Sequence, residues 1–351
     1  MIRRIQLNIN HSNIGKLKSL NCMMDESLRV LNSFISRLWN ARRFTGKFTN
    51  LKDEETWLSA RLQQALGKQA LETVKSQKKR HKKTMPVIRK PTLNLDSRFL
   101  SFRQDTNSFD FWVHMGSVGN RITLNLPSKK HSHFNKYLED GWELKRSGRL
   151  RKTAKGWFLD VYVEKEEPSK RKEGKAVGLD CGYKKLIVCS DGQAEGLDME
   201  QTYEKIARKK QGSLSFKKAL KERDNKINEC VNKLDLSDVQ TLCIEGLKNV
   251  KKGSKGKIFK KFNSKLQRWS YPKVSGKLAH ICELSGIRLI IVNPAYTSQK
   301  CSCCGHVDSK SRSREKFECT RCGMKEDADF NASKNILMRG IYSSSPVQAI
   351  P

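Results

Sequence analysis

No stretch of the 351-residue sequence approaches the roughly 18 to 20 consecutive apolar residues needed to span a bilayer, so no membrane-spanning helix is expected. The opening MIRRIQLNIN lacks the apolar run and small-residue cleavage site of a secretory signal, so the protein is expected to stay where it is made, in the cytoplasm. No unit recurs at a fixed period, which excludes a solenoid. Acidic residues are scarce: 36 Asp and Glu stand against 70 Lys and Arg, a formal charge of +34. A compact chain so unbalanced repels itself unless a polyanion is near, and nucleic acid is the expected partner. The amphipathic basic helix of a lipid-binding protein is not the dominant pattern.

What is present suggests two or three domains, a fair number for this length. Residues 2–10 alternate like a strand, and residues 23–44 and 56–77 carry apolar residues at helical spacing. The second of these runs into KKRHKK, where Lys78, Lys79, Arg80, Lys82 and Lys83 are candidate phosphate contacts. From about 93 to 165, short alternating segments separated by Gly, Asn and Ser read as a β-rich module, a small barrel or sandwich. Its aromatics Phe109, Phe111, Trp112, Trp157 and Phe158 are expected mainly in the core, with base stacking as the other reading. A charged linker at 166–175 closes that module. Beyond it, two strands joined by a short turn, a helical stretch at 199–233, a strand at 241–247, a Gly- and Lys-rich stretch, a helix from 274 and a strand at 287–293 form an α/β half.

Two acidic residues sit where a strand interior ordinarily rejects charge: Asp180 in VGLD and Glu245 in LCIEGL. Desolvated carboxylates are costly unless paired or bound to a cation. Asp329, in EDADFNASKNIL, is a candidate third member, with Asp327 and Glu326 competing for the place. Three such carboxylates suit two-metal phosphodiester cleavage, and oxygen-only ligands favour magnesium or manganese.

Five of the eleven cysteines crowd between Cys301 and Cys322. Cys301 with Cys304, and Cys319 with Cys322, form CxxC pairs fourteen residues apart, the spacing of a four-thiolate zinc ribbon. Cys303 and His306 are competing ligands. A closed thiolate site makes this zinc structural, and the ribbon would hold an arm containing Arg312, Arg314 and Lys316 for nucleic-acid contact. The scattered Cys22, Cys181, Cys189, Cys230, Cys243 and Cys282 are expected to be core thiols.

In order, GLDCGYKKLIV, CIEGLKN, TSQKCSCCG, FECTRCG and DADFNASKNIL resemble the successive motifs of TnpB proteins and type V CRISPR effector nucleases, over about residues 174–339. The resemblance implies a multidomain α/β protein: an RNase H-like (RuvC) nuclease domain at 174–297 and 326–351 with a zinc ribbon at 298–325. It also implies a wedge-like β-barrel at 1–13 and 86–170, interrupted by a helical recognition segment at 14–85. It makes Asp180, Glu245 and Asp329 the catalytic carboxylates, and so prefers Asp329 to Asp327. The implied partners are a guide RNA and target DNA, in a prokaryotic or phage setting. Two alternatives on the same core are a transposon-associated nuclease acting without a guide and a non-catalytic nucleic-acid-binding protein.

Overall fold

The computed structural model describes residues 1–53, 55–104, 108–247 and 269–344; the Gly- and Lys-rich stretch expected after the strand at 241–247 lies outside them. The chain divides into two compact units, Met1–Glu166 and Glu167–Pro351. Among the described residues, no helix is long and apolar enough to cross a membrane.

The first unit holds β1 (Ile2–Asn8), α1 (Ile14–Trp39), α2 (Ala60–Lys79), β2 (Thr92–Leu95), β3 (Leu100–Gln104), β4 (Phe111–Met115), β5 (Leu124–Ser128), α3 (Ser132–Glu139), β6 (Glu143–Thr153) and β7 (Gly156–Glu164). Its strands pair as a four-stranded sheet, β1-β7-β6-β2, and a three-stranded sheet, β3-β4-β5. Both are antiparallel. Alternation sends Ile5, Leu7, Leu150, Leu159 and Val161 into one core shared with α1 and α2. Helix α1 begins well before the apolar periodicity suggested, because the Asn13 side chain accepts the Lys16 amide and caps it there. Helix α3 went unread from sequence: it is eight residues long and buries only Phe134, too little for a periodic signal. Among the cysteines, Cys22 departs from expectation and is exposed on α1.

The second unit holds β8 (Lys175–Asp180), β9 (Ile187–Cys189), β10 (Ala194–Glu195), α4 (Met199–Ala207), α5 (Leu214–Lys233), β11 (Val239–Glu245), α6 (Tyr271–Ser285), β12 (Arg288–Val292), β13 (Arg312–Ser313), β14 (Lys316–Glu318), β15 (Lys325–Asp327) and α7 (Ala328–Ser344). The single helical stretch expected at 199–233 is two helices, separated where Gly212 takes φ +85° and Ser213 caps α5. The main sheet runs β10-β9-β8-β11-β12. Strands β8, β11 and β12 are parallel, and β9 runs antiparallel to both β8 and β10.

The two sheet faces are covered differently. Val177, Leu179, Leu242 and Ile244 point into a core with α4, α5 and α6. The alternate residues face α7, where Cys243 and Val292 pack on Ile336. Glycine is required on that side. A Cβ on Gly178 would lie 2.1 Å from the Ser333 carbonyl oxygen and 2.5 Å from the Leu337 nitrogen, so α7 rests backbone-to-backbone on β8. One on Gly340 would lie 2.2 Å from the Cys243 sulfur, and Cys243 is the register partner of Gly178.

Gly178→Ala should therefore cost about 1–3 kcal/mol through overpacking against atoms that cannot rotate away. Thermal denaturation should show its Tm several degrees below the parent's. Gly276→Ala in α6, whose Cβ would meet nothing within 4 Å, should leave Tm unchanged or raise it.

Candidate metal and catalytic site

Asp180 and Glu245 are the last residues of β8 and β11, adjacent parallel strands about 4.8 Å apart. Each lies two residues beyond a position on the α7 face, Gly178 and Cys243, so by the pleat both carboxylates belong to that face. Asp329 is the second residue of α7, inside the first helical turn rather than ahead of the helix. A Cβ on Gly182, in the β8–β9 turn, would be 3.8 Å from Asp329 Oδ2, so Asp329 reaches the strand end that carries Asp180.

Electrostatics shows that Glu245 and Asp329 both bear on Asp180. Burial pushes the Asp180 carboxyl up to about 8, and the charges of Glu245 and then Asp329 add to the shift. Glu245 is also raised, by burial, while a hydrogen bond from Thr297 pulls it back. Arg312 Nη2 donates to Asp329 Oδ1 at 2.7 Å and lies near enough to lower Asp180 and Glu245 as well. The donor set is all oxygen and short of positive charge, which fits a hard divalent cation.

The competitors have other work. Asp327 Oδ1 accepts the amides of Asp329 (3.1 Å) and Phe330 (3.2 Å), so it caps α7, and its other oxygen pairs with Lys185. Glu326 pairs with Lys334. Several partners had no sequence signal. The Thr297 hydroxyl donates to Glu245 Oε1, and the Tyr271 hydroxyl donates to the Glu245 carbonyl. Asn331 accepts the Ser302 amide (2.9 Å) and donates to the Lys300 carbonyl (2.9 Å), and Asn335 donates to the Thr297 carbonyl (3.0 Å). These asparagines join α7 to the loop between Glu245's partner and the first knuckle.

In the ribbon, the sulfurs of Cys301, Cys304, Cys319 and Cys322 all lie within 4.8 Å of one another, the one such gathering of metal-ligand atoms among the described residues. Cys303 and His306 stand outside it. The knuckles match: Gly305 N donates to the Cys301 carbonyl at 3.0 Å with φ +74°, and Gly323 N to the Cys319 carbonyl at 2.9 Å with φ +70°. Strands β13–β15 form the ribbon's own sheet. Besides Arg312–Asp329, the ion pairs Lys184–Glu315 and Lys185–Asp327 fasten the ribbon side to the β8–β9 turn.

Of the basic candidates, Arg312 is engaged by Asp329 rather than standing in a free arm, whereas Arg314 is exposed. Lys78 lies over the Trp39 and Phe44 rings at 5.2 and 4.7 Å, while Lys79, Arg80, Lys82 and Lys83 are exposed.

Asp180 holds a proton in the folded chain that the unfolded chain has already released. Metal-free stability is therefore lost as pH rises from the ordinary carboxylate range, near 3.8, through about 8. In buffer without added divalent cation, Asp180→Asn should raise Tm relative to the parent, by a margin that opens across that window and is constant above it. A margin independent of pH would contradict the assigned burial.

Residues 271–336 match the family model described as the Cas12f1-like TNB domain. The chain is 42% identical over 77 residues to the CRISPR-associated endodeoxyribonuclease Cas12f1 of Sulfoacidibacillus thermotolerans, 22% of this chain and 18% of that protein. It is 27% identical over 217 residues to the putative RNA-guided DNA endonuclease InsQ of Escherichia coli, 52% of this chain and 54% of that protein. These matches thus span at most about half of the relatives' own length. In fold it is similar to Cas12f1 in a complex with sgRNA and target DNA, with a TM-score of 0.63 at 15% identity over 92% of this chain and 83% of that one. CasPhi-2 (Cas12j) follows with a TM-score of 0.53 at 8% identity, over 98% and 92% of the two chains. With the ordered motifs and the four-cysteine segment between β12 and α7, these likenesses support a relation of the chain to the TnpB and type V CRISPR effector family.

Proposed function

We propose that this chain is an RNA-guided DNA endonuclease whose Asp180, Glu245 and Asp329 hold two magnesium or manganese ions. The observation that carries the reading is the placement of Asp180 and Glu245 at the ends of adjacent strands beside Asp329 in the first turn of α7, with burial and then the charges of Glu245 and Asp329 lifting Asp180 to about 8. Bound there, the cations would lower the pKa of a water and offset the charge of the scissile phosphate. The chain's own groups do the rest. Thr297 fixes the Glu245 oxygen, and Arg312 supplies positive charge beside Asp329.

Cys301, Cys304, Cys319 and Cys322 would hold a structural zinc. The Cys322 amide donates to the Cys319 sulfur at 3.5 Å and pulls that thiol down to about 6, which favours the thiolate a metal requires. On the same reading, residues 1–13 and 86–170 form a wedge-like barrel and 14–85 a recognition segment. Residues 174–297 and 326–351 form the nuclease domain, and 298–325 the ribbon. Guide RNA and target DNA are the proposed partners, as the charge of +34 favours.

The test is to express the protein with its flanking DNA, sequence the RNA that co-purifies, and challenge the complex with a matching plasmid library in Mg²⁺, beside Glu245→Gln. A discrete RNA and guide-dependent cutting that the variant lacks are expected. Glu245-dependent cutting without RNA would replace this reading with an unguided nuclease, and RNA binding without cutting would leave a binding protein. Cys319→Ser should lose its zinc by elemental analysis and melt at lower temperature.

A further inference from the structure

We infer that a cleft at the free edge of the four-stranded sheet in the first unit binds one nucleotide of a single-stranded nucleic acid, its base on Phe158 and its phosphate between Arg4 and the His133 imidazole opposite. The inference concerns a different unit from the carboxylates and does not depend on whether they cleave.

The cleft encloses about 600 Å³, within the range of small-molecule sites. Its floor is the outer face of the sheet. On β1 the exposed Arg4, Gln6 and Asn8 alternate with the buried Ile5 and Leu7. Phe158 on β7 is the register partner of Asn8 and is half-buried beside the fully inward Trp157. The opposite wall is the start of α3. His131 Nδ1 accepts the Phe134 amide and so caps the helix, and its Nε2 reaches the Gln6 carbonyl on the sheet edge at 3.1 Å. His133 stacks on His131 with centroids 6.1 Å apart. His11 and Lys129 complete the lining.

Three features select the ligand. None of the lining residues is acidic, whereas Arg4 and Lys129 are fixed cations and the start of α3 adds the positive end of a helix dipole. Arg4 is also oriented: the fully buried Asp160 lies 3.5 Å from it and 2.7 Å from Arg151. The site therefore wants an anion, and the His133 imidazole, pulled down by burial and then by His131 and Lys136, gains a counter-charge when one arrives. A ring face beside amide side chains adds what a bare anion does not need: Phe158 can stack a base, and Gln6 and Asn8 can meet its edge.

The full chain, irradiated with an eight-nucleotide oligouridylate carrying 4-thiouridine and mapped by mass spectrometry, should crosslink within 4–11, 129–133 or at Phe158. Phe158→Leu, which keeps apolar bulk, should remove that crosslink and weaken the cleft's affinity about five- to a hundred-fold. Arg4→Gln should lower the salt dependence of binding by about one counterion. Circular dichroism melting checks that both variants fold. Crosslinks confined to other segments, or a cleft crosslink that survives Phe158→Leu at full strength, would overturn the assignment, whatever the overall affinity of so basic a chain.

Discussion

A helix lying on a sheet with almost no side chain between them is the constraint on which the second unit depends. Most helices stand off a sheet by the thickness of their packed side chains. Here Gly178 removes that spacer over β8 and Gly340 removes it over β11, so the helix descends until backbone meets backbone and sulfur. The descent brings the first turn of α7 down to the ends of β8 and β11, where a two-residue step past Gly178 and Cys243 arrives at Asp180 and Glu245. Close packing and the gathering of like charges are one arrangement: the contact energy of the helix holds together groups that repel one another.

The ribbon is joined to that arrangement at several points. Chain leaves β12, passes Thr297 against Glu245, enters the first knuckle, returns through β15 and becomes α7 after Asp327 caps it. Asn331 and Asn335, on the helix itself, grip the carbonyls of the entering loop. Arg312 closes the circuit from the ribbon's sheet onto Asp329. A buried polar network of this kind specifies a unique geometry only when its members are satisfied, and these asparagines and Thr297 all have partners.

The parts legible from sequence were those with a local cause. Acid residues ending apolar strands announce a cost that something must offset, and paired CxxC knuckles announce a metal by spacing alone. The strands and most helices followed from period. What stayed hidden depends on register and on distant partners. Thr297 looks like any loop threonine until the fold sets it against Glu245, and Arg312 looked like a surface cation until β13 brought it to Asp329. Asp327 and Asp329 could not be told apart by type, because one caps the helix and the other occupies its first turn. Trp157 and Phe158 are the same lesson in the first unit: adjacent aromatics, one in the core and one on the outer face, separated only by the pleat.

The ribbon's attachment also governs how it can change over evolutionary time. Its anchoring residues are concentrated near its two ends, at 297–302 and 327–335, while the stretch between the second cysteine of each knuckle reaches the rest of the unit through Arg312 and Glu315. Within it, 306–308 are tied to the first knuckle, with Val307 bridged to Lys300, the Asp308 amide donating to the Gln299 carbonyl and the Thr320 hydroxyl donating to Asp308, so only the exposed Ser309 and Lys310 offer a place where insertions leave the four sulfurs in register. Drift should therefore accumulate there, and a foreign peptide grafted at that bend would ride on the protein without moving the carboxylates.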